Sequence, residues 1–194
     1  MKVVALNGSP RANGNTMDGL KIMREMLEKE GIETEIIQLG GQTFAGCRAC
    51  NGCFKMKNYK CVTEDGMNEV MQKVFEADGL IIGSPSYFSN VTTEVKAFID
   101  RCGYVAMANG NPLKRKVGAS VVPARRAGSN FVYSAINFFY GINEMTIASS
   151  NYWNMSLALK RGDLLKDEEG VATLETLAEN MIFLIKQLEG SQEK

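Results

Sequence analysis

Four cysteines crowd into one stretch, Cys47-Arg-Ala-Cys50-Asn-Gly-Cys53 and then Cys61, a C-x2-C-x2-C-x7-C pattern within residues 44–62. Thiols at this spacing can wrap three corners of a [4Fe-4S] cube, with Cys61 available as the fourth ligand. Zinc or another metal is a second reading, although paired C-x2-C zinc knuckles are normally separated by a longer spacer. Free or redox-active thiols are a third. No basic segment and signal-length apolar run open the chain, so structural disulfides are the least expected outcome. Lys55, Lys57 and Lys60 would flank a cluster and offset its negative charge, or simply be solvated loop lysines.

A second chemical stretch lies at the start. The apolar run Val3-Val-Ala-Leu6 breaks into Gly8, Ser9, Pro10, Arg11, Asn13, Gly14, Asn15 and Thr16, and an amphipathic pattern follows at once. That is strand, polar loop, helix. Glycines let backbone N–H groups turn inward, Ser9 and Thr16 add hydroxyls, Arg11 adds charge, and the helix start adds a favourable dipole. Such a loop suits a phosphate; the bland alternative is a polar turn. Neither Gly-x-x-x-x-Gly-Lys-Ser/Thr nor Gly-x-Gly-x-x-Gly is present, which favours a phosphomonoester over a magnesium nucleotide or a dinucleotide.

Two further loops complete the set. Pro85, Tyr87 and Phe88 offer flat apolar surface beside backbone donors and acceptors, which suits a planar heteroaromatic ring. Joined to a phosphate loop, they point to flavin mononucleotide (FMN); ordinary core packing is the alternative for Tyr87 and Phe88. Arg125 and Arg126, followed by Gly128, lie on a third loop, where a cation could stabilise a reduced ring or attract an anionic donor, or merely decorate a solvated turn. Tyr152 and Trp153 either cover the ring or pack a subunit contact.

Composition narrows the chemistry. The 194 residues are 45% hydrophobic and 23% charged, which fits one globular domain, 1–194, with a full core. Lys plus Arg and Asp plus Glu number 22 each, so no global charge draws in nucleic acid or an anionic membrane. No apolar run approaches a membrane span, and a cytoplasmic location is expected. The chain has no histidine, which removes the commonest general base and every His-dependent catalytic or zinc arrangement. The chemistry then falls to a bound cofactor, with no acid or base residue required.

The elements that must position these loops follow in order. A helix is expected from Thr16 to Glu30, with Met17, Leu20, Met23 and Leu27 on one face and Gly31 as its C-cap. Ile32 to Leu39 reads as a half-polar edge strand, Gly40 to Lys60 as loop, and a helix begins near Asp65 with Met67, Val70, Met71 and Val74 inward. The apolar strand Gly79–Gly83 precedes a helix that buries Val95, Phe98, Ile99 and Cys102, making Cys102 a core thiol. After an insertion from Gly103 to Lys116 comes the strand Val117–Val122, then a helix aligning Phe131, Ala135, Phe138, Phe139 and Ile142. A short strand near Met145–Ala148, an irregular loop over 149–170 and a helix burying Leu174, Leu177, Met181, Leu184, Ile185 and Leu188 finish the chain, with 190–194 expected to fray. The alternation predicts an α/β, doubly wound, five-stranded parallel sheet in the order 2-1-3-4-5, which gathers the three loops beyond the carboxyl ends of the strands.

The motifs Ser9-Pro-Arg with Asn15-Thr16, Ser84-Pro-Ser-Tyr87, the cysteine loop and the following Val62-Thr-Glu-Asp-Gly-Met67 resemble the iron-sulfur flavoprotein family, within the NADPH-dependent FMN reductase-like branch of flavodoxin-fold proteins. The resemblance spans nearly the whole chain and loosens after about Ala124. It implies a flavodoxin-like fold and FMN in each subunit, with phosphate at Ser9, Arg11, Asn13, Asn15 and Thr16 and the ring near Pro85, Ser86, Tyr87, Phe88 and Asn90. It also implies a cluster on Cys47, Cys50, Cys53 and Cys61, and a homodimer or homotetramer in which the cluster loop approaches a neighbour's flavin. Arg125-Arg-Ala-Gly128 departs from the glycine-rich sequence associated with cluster-bearing members. The expected activity is an FMN-dependent oxidoreductase fed by NAD(P)H or a ferredoxin-like donor and discharging to a small acceptor. The alternatives are a flavodoxin-like electron carrier, a thiol redox sensor, or an FMN-only reductase with a structural cysteine loop.

Overall fold

The computed structural model describes residues 1–192. Strands β1 (Lys2–Asn7), β2 (Glu33–Gln38), β3 (Gly79–Gly83), β4 (Val117–Ala124) and β5 (Thr146–Ile147) form a parallel sheet in the order β2-β1-β3-β4-β5, with β6 (Met155–Leu157) added on β4. The helices are α1 (Asn15–Lys29), α2 (Gly52–Met56), α3 (Met67–Glu76), α4 (Thr93–Ala108), α5 (Ser129–Ile142) and α6 (Glu168–Gln192). Strand alternation assigns the two faces. Val3, Ala5, Ile81, Ala119 and Val121 pack with α1 and α6, while Val4, Leu6, Leu80, Ile82 and Val122 pack with α3, α4 and α5. Each large aliphatic side chain fully buried this way contributes about 1.5–3 kcal/mol. The half-polar β2 lies at the edge, where one side needs no cover.

Several boundaries differ from the sequence-based expectation. The stretch 40–60 is not all loop, because Gly52–Met56 forms a single helical turn or so, between left-handed residues Asn51 and Lys57. Helix α4 runs through Gly103 to Ala108, since Val105, Ala106 and Ala108 continue its buried face. β4 extends past Val122 to Ala124 because β6, hidden in the expected irregular loop, pairs with Val122, Pro123 and Ala124. Helix α6 continues to Gln192, where fraying was expected; Glu193 and Lys194 lie outside the described residues.

Helix α5 is rotated from its expected orientation. It buries Val132, Ile136, Phe139 and Tyr140, while Phe131, Phe138 and Ile142 are 66%, 76% and 70% exposed. The Tyr140 hydroxyl decides the rotation. It reaches between β3 and β4, accepts from the Ile82 N–H at 3.1 Å and donates to the Ala119 carbonyl at 2.7 Å. Gly118 makes this possible, because a Cβ there would sit 2.7 Å from the tyrosine ring.

Candidate functional site

The loop after β1 is braced before it binds anything. Gln38, at the end of the neighbouring strand, donates to the carbonyls of Ser9 (2.8 Å) and Gly40 (2.6 Å) and accepts from Asn7 Nδ2 (2.6 Å). Thr92 Oγ1 donates to the Gly8 carbonyl at 2.8 Å, and the Gly8 N–H donates to the Gly83 carbonyl at 2.8 Å. A Cβ on Gly8 would lie 2.7 Å from that same carbonyl, so only glycine lets the loop leave β1 this close to β3. Asn7, Gln38 and Thr92 were not read as site residues; their signal is a polar side chain at the very end of a strand or start of a helix.

At the start of α1 the N–H groups of Asn15, Thr16 and Met17 have no acceptor among the described residues, and Gly14 supplies no side-chain cap. A helix of 15 residues therefore presents open donors and its positive dipole end to the cleft. Ser9 and Thr16 are buried beside it, and Arg11 and Asn13 are exposed at the rim. The Asn15 side chain is engaged elsewhere: Nδ2 donates to the Lys160 carbonyl at 2.9 Å and Oδ1 accepts from the Leu164 N–H at 3.3 Å. Asn15 offers the cleft its backbone N–H. Arg161, not anticipated from the sequence, faces Arg11 across an adjoining hollow.

One cleft of about 210 Å³ joins this loop to the other two, lined by Ser9, Arg11, Thr16, Pro85, Tyr87 and Arg125 among others. Tyr87 and Phe88 are 47% and 107% exposed, which rules out core packing for either. Tyr87 and Asn90 exchange backbone hydrogen bonds at 2.9 and 3.0 Å, closing a tight turn that holds Phe88 and Ser89 at φ of 48° and 61°. Phe88 stands out from the cleft wall at the tip of that turn, so of the two aromatics only Tyr87 lines it. Gly128, at φ +87°, lets the third loop press on the second: a Cβ there would lie 2.7 Å from Ser86 Oγ. Arg125 and Arg126 part company. Arg125 lines the cleft, whereas Arg126 borders a separate cavity of about 350 Å³ with Tyr152 and Trp153, whose rings meet edge to face at 4.9 Å.

All four cysteines of the loop are free thiols, and they line one shared cavity with Arg101 and Tyr104. Cys53 is buried, Cys61 half-buried, Cys47 and Cys50 exposed. Burial pushes the Cys53 thiol up, and its Sγ donates weakly to the Tyr104 carbonyl at 3.8 Å. Among the described residues no three His, Cys, Asp or Glu side chains stand close enough to hold a single metal ion. Ala49 and Asn51, on either side of Cys50, take positive φ, as do Lys57 and Tyr59, whose N–H groups donate to the Cys53 carbonyl (2.9 Å) and to Asn109 Oδ1 (3.0 Å). The loop is anchored on both sides. Asn68 accepts from the Cys61 N–H (2.8 Å) and donates to its carbonyl (3.0 Å), and the buried Arg101 pairs with Asp65 at 2.7 Å. Burial would raise the Asp65 carboxyl, but hydrogen bonds from Arg101 and the Ala45 N–H outweigh it and hold it below its ordinary range. Cys102, fully buried with its thiol pushed far up by desolvation, takes no part, as expected.

The family described as NADPH-dependent FMN reductase matches residues 1–160. The chain belongs to this family. Membership in the NADPH-dependent FMN reductase family makes it a flavin-dependent oxidoreductase. An iron-sulfur flavoprotein of Methanocaldococcus jannaschii is 32% identical over 193 residues, covering 96% of this chain and 98% of the relative. One from Archaeoglobus fulgidus is 31% identical over 194 residues, covering 94% of each. Among solved structures, RosB with a bound 8-demethyl-8-formylriboflavin-5'-phosphate intermediate superposes with a TM-score of 0.75 at 17% identity, over 98% of this chain and 81% of that one. A WrbA-like flavodoxin from Agrobacterium tumefaciens gives a TM-score of 0.64 at 14% identity, over 96% of both chains. These likenesses establish the flavodoxin-like fold. No helix among the described residues is long and apolar enough to cross a membrane.

Proposed function

We propose that this chain passes electrons between NAD(P)H or a ferredoxin-like donor and a small acceptor through FMN and a [4Fe-4S] cluster on Cys47, Cys50, Cys53 and Cys61. The observation that carries the flavin half is the single cleft over the carboxyl ends of β1, β3 and β4, with open helix-start N–H groups and Arg11 at one end and Tyr87 and Arg125 at the other. When bound, the flavin supplies one- or two-electron exchange. The first-turn N–H groups of Asn15 and Thr16 bind the phosphate, helped by Arg11, Ser9 and Asn13, while Gln38 and Asn7 hold that loop in shape. Pro85, Ser86 and Tyr87 shape the ring's wall, and Asn90 closes the turn that presents Tyr87. Arg125 places a fixed positive charge beside it, and Gly128 lets the second and third loops close.

The cluster half rests on four cysteines around one cavity and on relatives described as iron-sulfur flavoproteins. A bound cluster supplies single-electron exchange. The exposed face of α5, Phe131, Phe138 and Ile142, supports a homo-oligomer in which a second copy covers it. Anaerobic purification followed by an absorbance spectrum and iron and zinc analysis tests both cofactors. Flavin with iron is the expected result. A colourless, metal-free protein that refuses added FMN overturns the whole reading, and flavin without iron leaves an FMN-only reductase with a structural cysteine loop.

A further inference from the structure

Arg101 is the charged residue the flavin chemistry leaves unused, and it sits in the wall of the cysteine cavity. Its side chain is fully buried. Nη1 donates to both Asp65 carboxylate oxygens (2.7 and 2.9 Å) and to the Ala45 carbonyl (3.2 Å), and Nη2 donates to the Thr63 carbonyl (2.8 Å). Nε alone is buried with no partner. A charged N–H buried without an acceptor is costly, and a group bound in the cavity would relieve that cost. Cys61 lines the same cavity wall as this guanidinium. A lysine could not do the same, because the planar fork fixes its outer nitrogens on one set of acceptors and leaves Nε facing another way.

Resting on the cluster reading above, we infer that Arg101 is a positioning residue that sets the cluster's reduction potential: its buried charge lines the same cavity as the four cysteines and favours the reduced cluster. The physical reason is simple. Reduction adds one negative charge to the cube, and a cation held at a fixed place in a water-poor wall stabilises that charge more than bulk solvent does. Asp65 works against it, because its carboxylate cancels part of the guanidinium charge while locking its orientation. The two residues of one ion pair should therefore move the potential in opposite directions.

That opposition separates tuning from mere bracing. Full-length wild type, Arg101→Gln, Arg101→Lys and Asp65→Asn are loaded with iron and sulfide anaerobically, and the cluster is titrated redox-potentiometrically with electron paramagnetic resonance as readout. Arg101→Gln is expected to shift the oxidised-to-reduced ratio at least tenfold towards the oxidised form, a fall of about 59 mV for a one-electron couple. Asp65→Asn is expected to shift it towards the reduced form, and Arg101→Lys to stay between wild type and Arg101→Gln. If Arg101→Gln does not fold or load, the sign of Asp65→Asn decides alone. Equal loss of iron in Arg101→Gln and Asp65→Asn with an unmoved potential, or a shift of both in the same direction, overturns the role of Arg101 and leaves the cluster intact. A wild type that takes up no iron overturns the cluster reading and this inference with it.

Discussion

Replacing Gln38 with Ala tests whether the phosphate loop is built before the flavin arrives. The substitution removes three part-buried hydrogen bonds, to the Ser9 and Gly40 carbonyls and from Asn7 Nδ2, at 2.8, 2.6 and 2.6 Å. At about 0.5–1.5 kcal/mol each, less what water recovers at a half-buried site, the loss is about 2 kcal/mol. In a chain of 194 residues that lowers the apo protein's Tm by about 4–8 °C. Part of the same energy returns as lost affinity, because FMN must then order a loop that Gln38 had ordered; about 1.4 kcal/mol of it weakens binding tenfold. Gln38→Glu sharpens the test. It puts a carboxylate against two carbonyls and near the phosphate, so it should weaken FMN further than Ala does while leaving riboflavin, which lacks the phosphate, unaffected beyond the Ala level. Fluorescence titration with both flavins, alongside thermal melts, reads each term. An FMN affinity within twofold of wild type and an unchanged Tm in Gln38→Ala would refute the pre-built loop.

Other consequences are as direct. Arg11→Ala should weaken FMN about tenfold and leave riboflavin binding unchanged, with the FMN loss shrinking at high salt, because an exposed guanidinium acts through screened charge. Tyr140→Phe removes the hydroxyl's bonds to the Ile82 N–H and the Ala119 carbonyl, which keep their ladder pairing across β3 and β4, so stability in chemical denaturation should fall by about 1–2 kcal/mol without touching any loop of the cleft. In metal-free, reduced protein, iodoacetamide followed by mass spectrometry should label Cys47 and Cys50 first and Cys102 only after unfolding, since Cys102 is buried and its thiol is held protonated by desolvation. Phe138→Glu should convert an oligomer to monomer in light scattering; a chain that is monomeric already, or an oligomer indifferent to the change, removes α5 as the contact.

What the sequence disclosed depended on how local the signal was. The loop after β1, the cysteine spacing and the buried faces of α1 and α3 are each set by neighbours within a dozen residues, and periodicity or motif reads them directly. Helix α5 was misread for the opposite reason. Phe131, Phe138 and Ile142 share a helical face as well as any core residues do, but the face that turns inward is chosen by a hydroxyl that bonds to β3 and β4 and by a hole at Gly118, both remote in sequence. Gln38 and Asp65 were likewise invisible as site residues, because their partners are set by strand register and by a helix that comes 36 residues later. Arg101 did carry a signal. It falls on the buried stripe of α4 with Val95, Phe98, Cys102 and Val105, and a charge on such a stripe requires partners.

The broken fifth strand explains why two adjacent arginines serve two different places. β3 ends at Gly83 opposite Val121, so the last residues of β4 run on past their neighbour and have only one side left to pair. β5 cannot supply that partner, since it meets β4 only at Val117 and Gly118. β6 does, pairing with Val122, Pro123 and Ala124, and the Ala158 N–H closes the ladder on the Ala124 carbonyl at 2.9 Å. Paired to its tip, β4 delivers Arg125 into the cleft that Ala158 and Leu159 also line. The excursion that separates β5 from β6 carries Tyr152 and Trp153 outward, and the cavity they enclose with Arg126 lies beyond that ladder. Arg125 is thus tied to the cleft by the sheet itself, whereas Arg126 answers to a segment that the sheet only anchors at its ends.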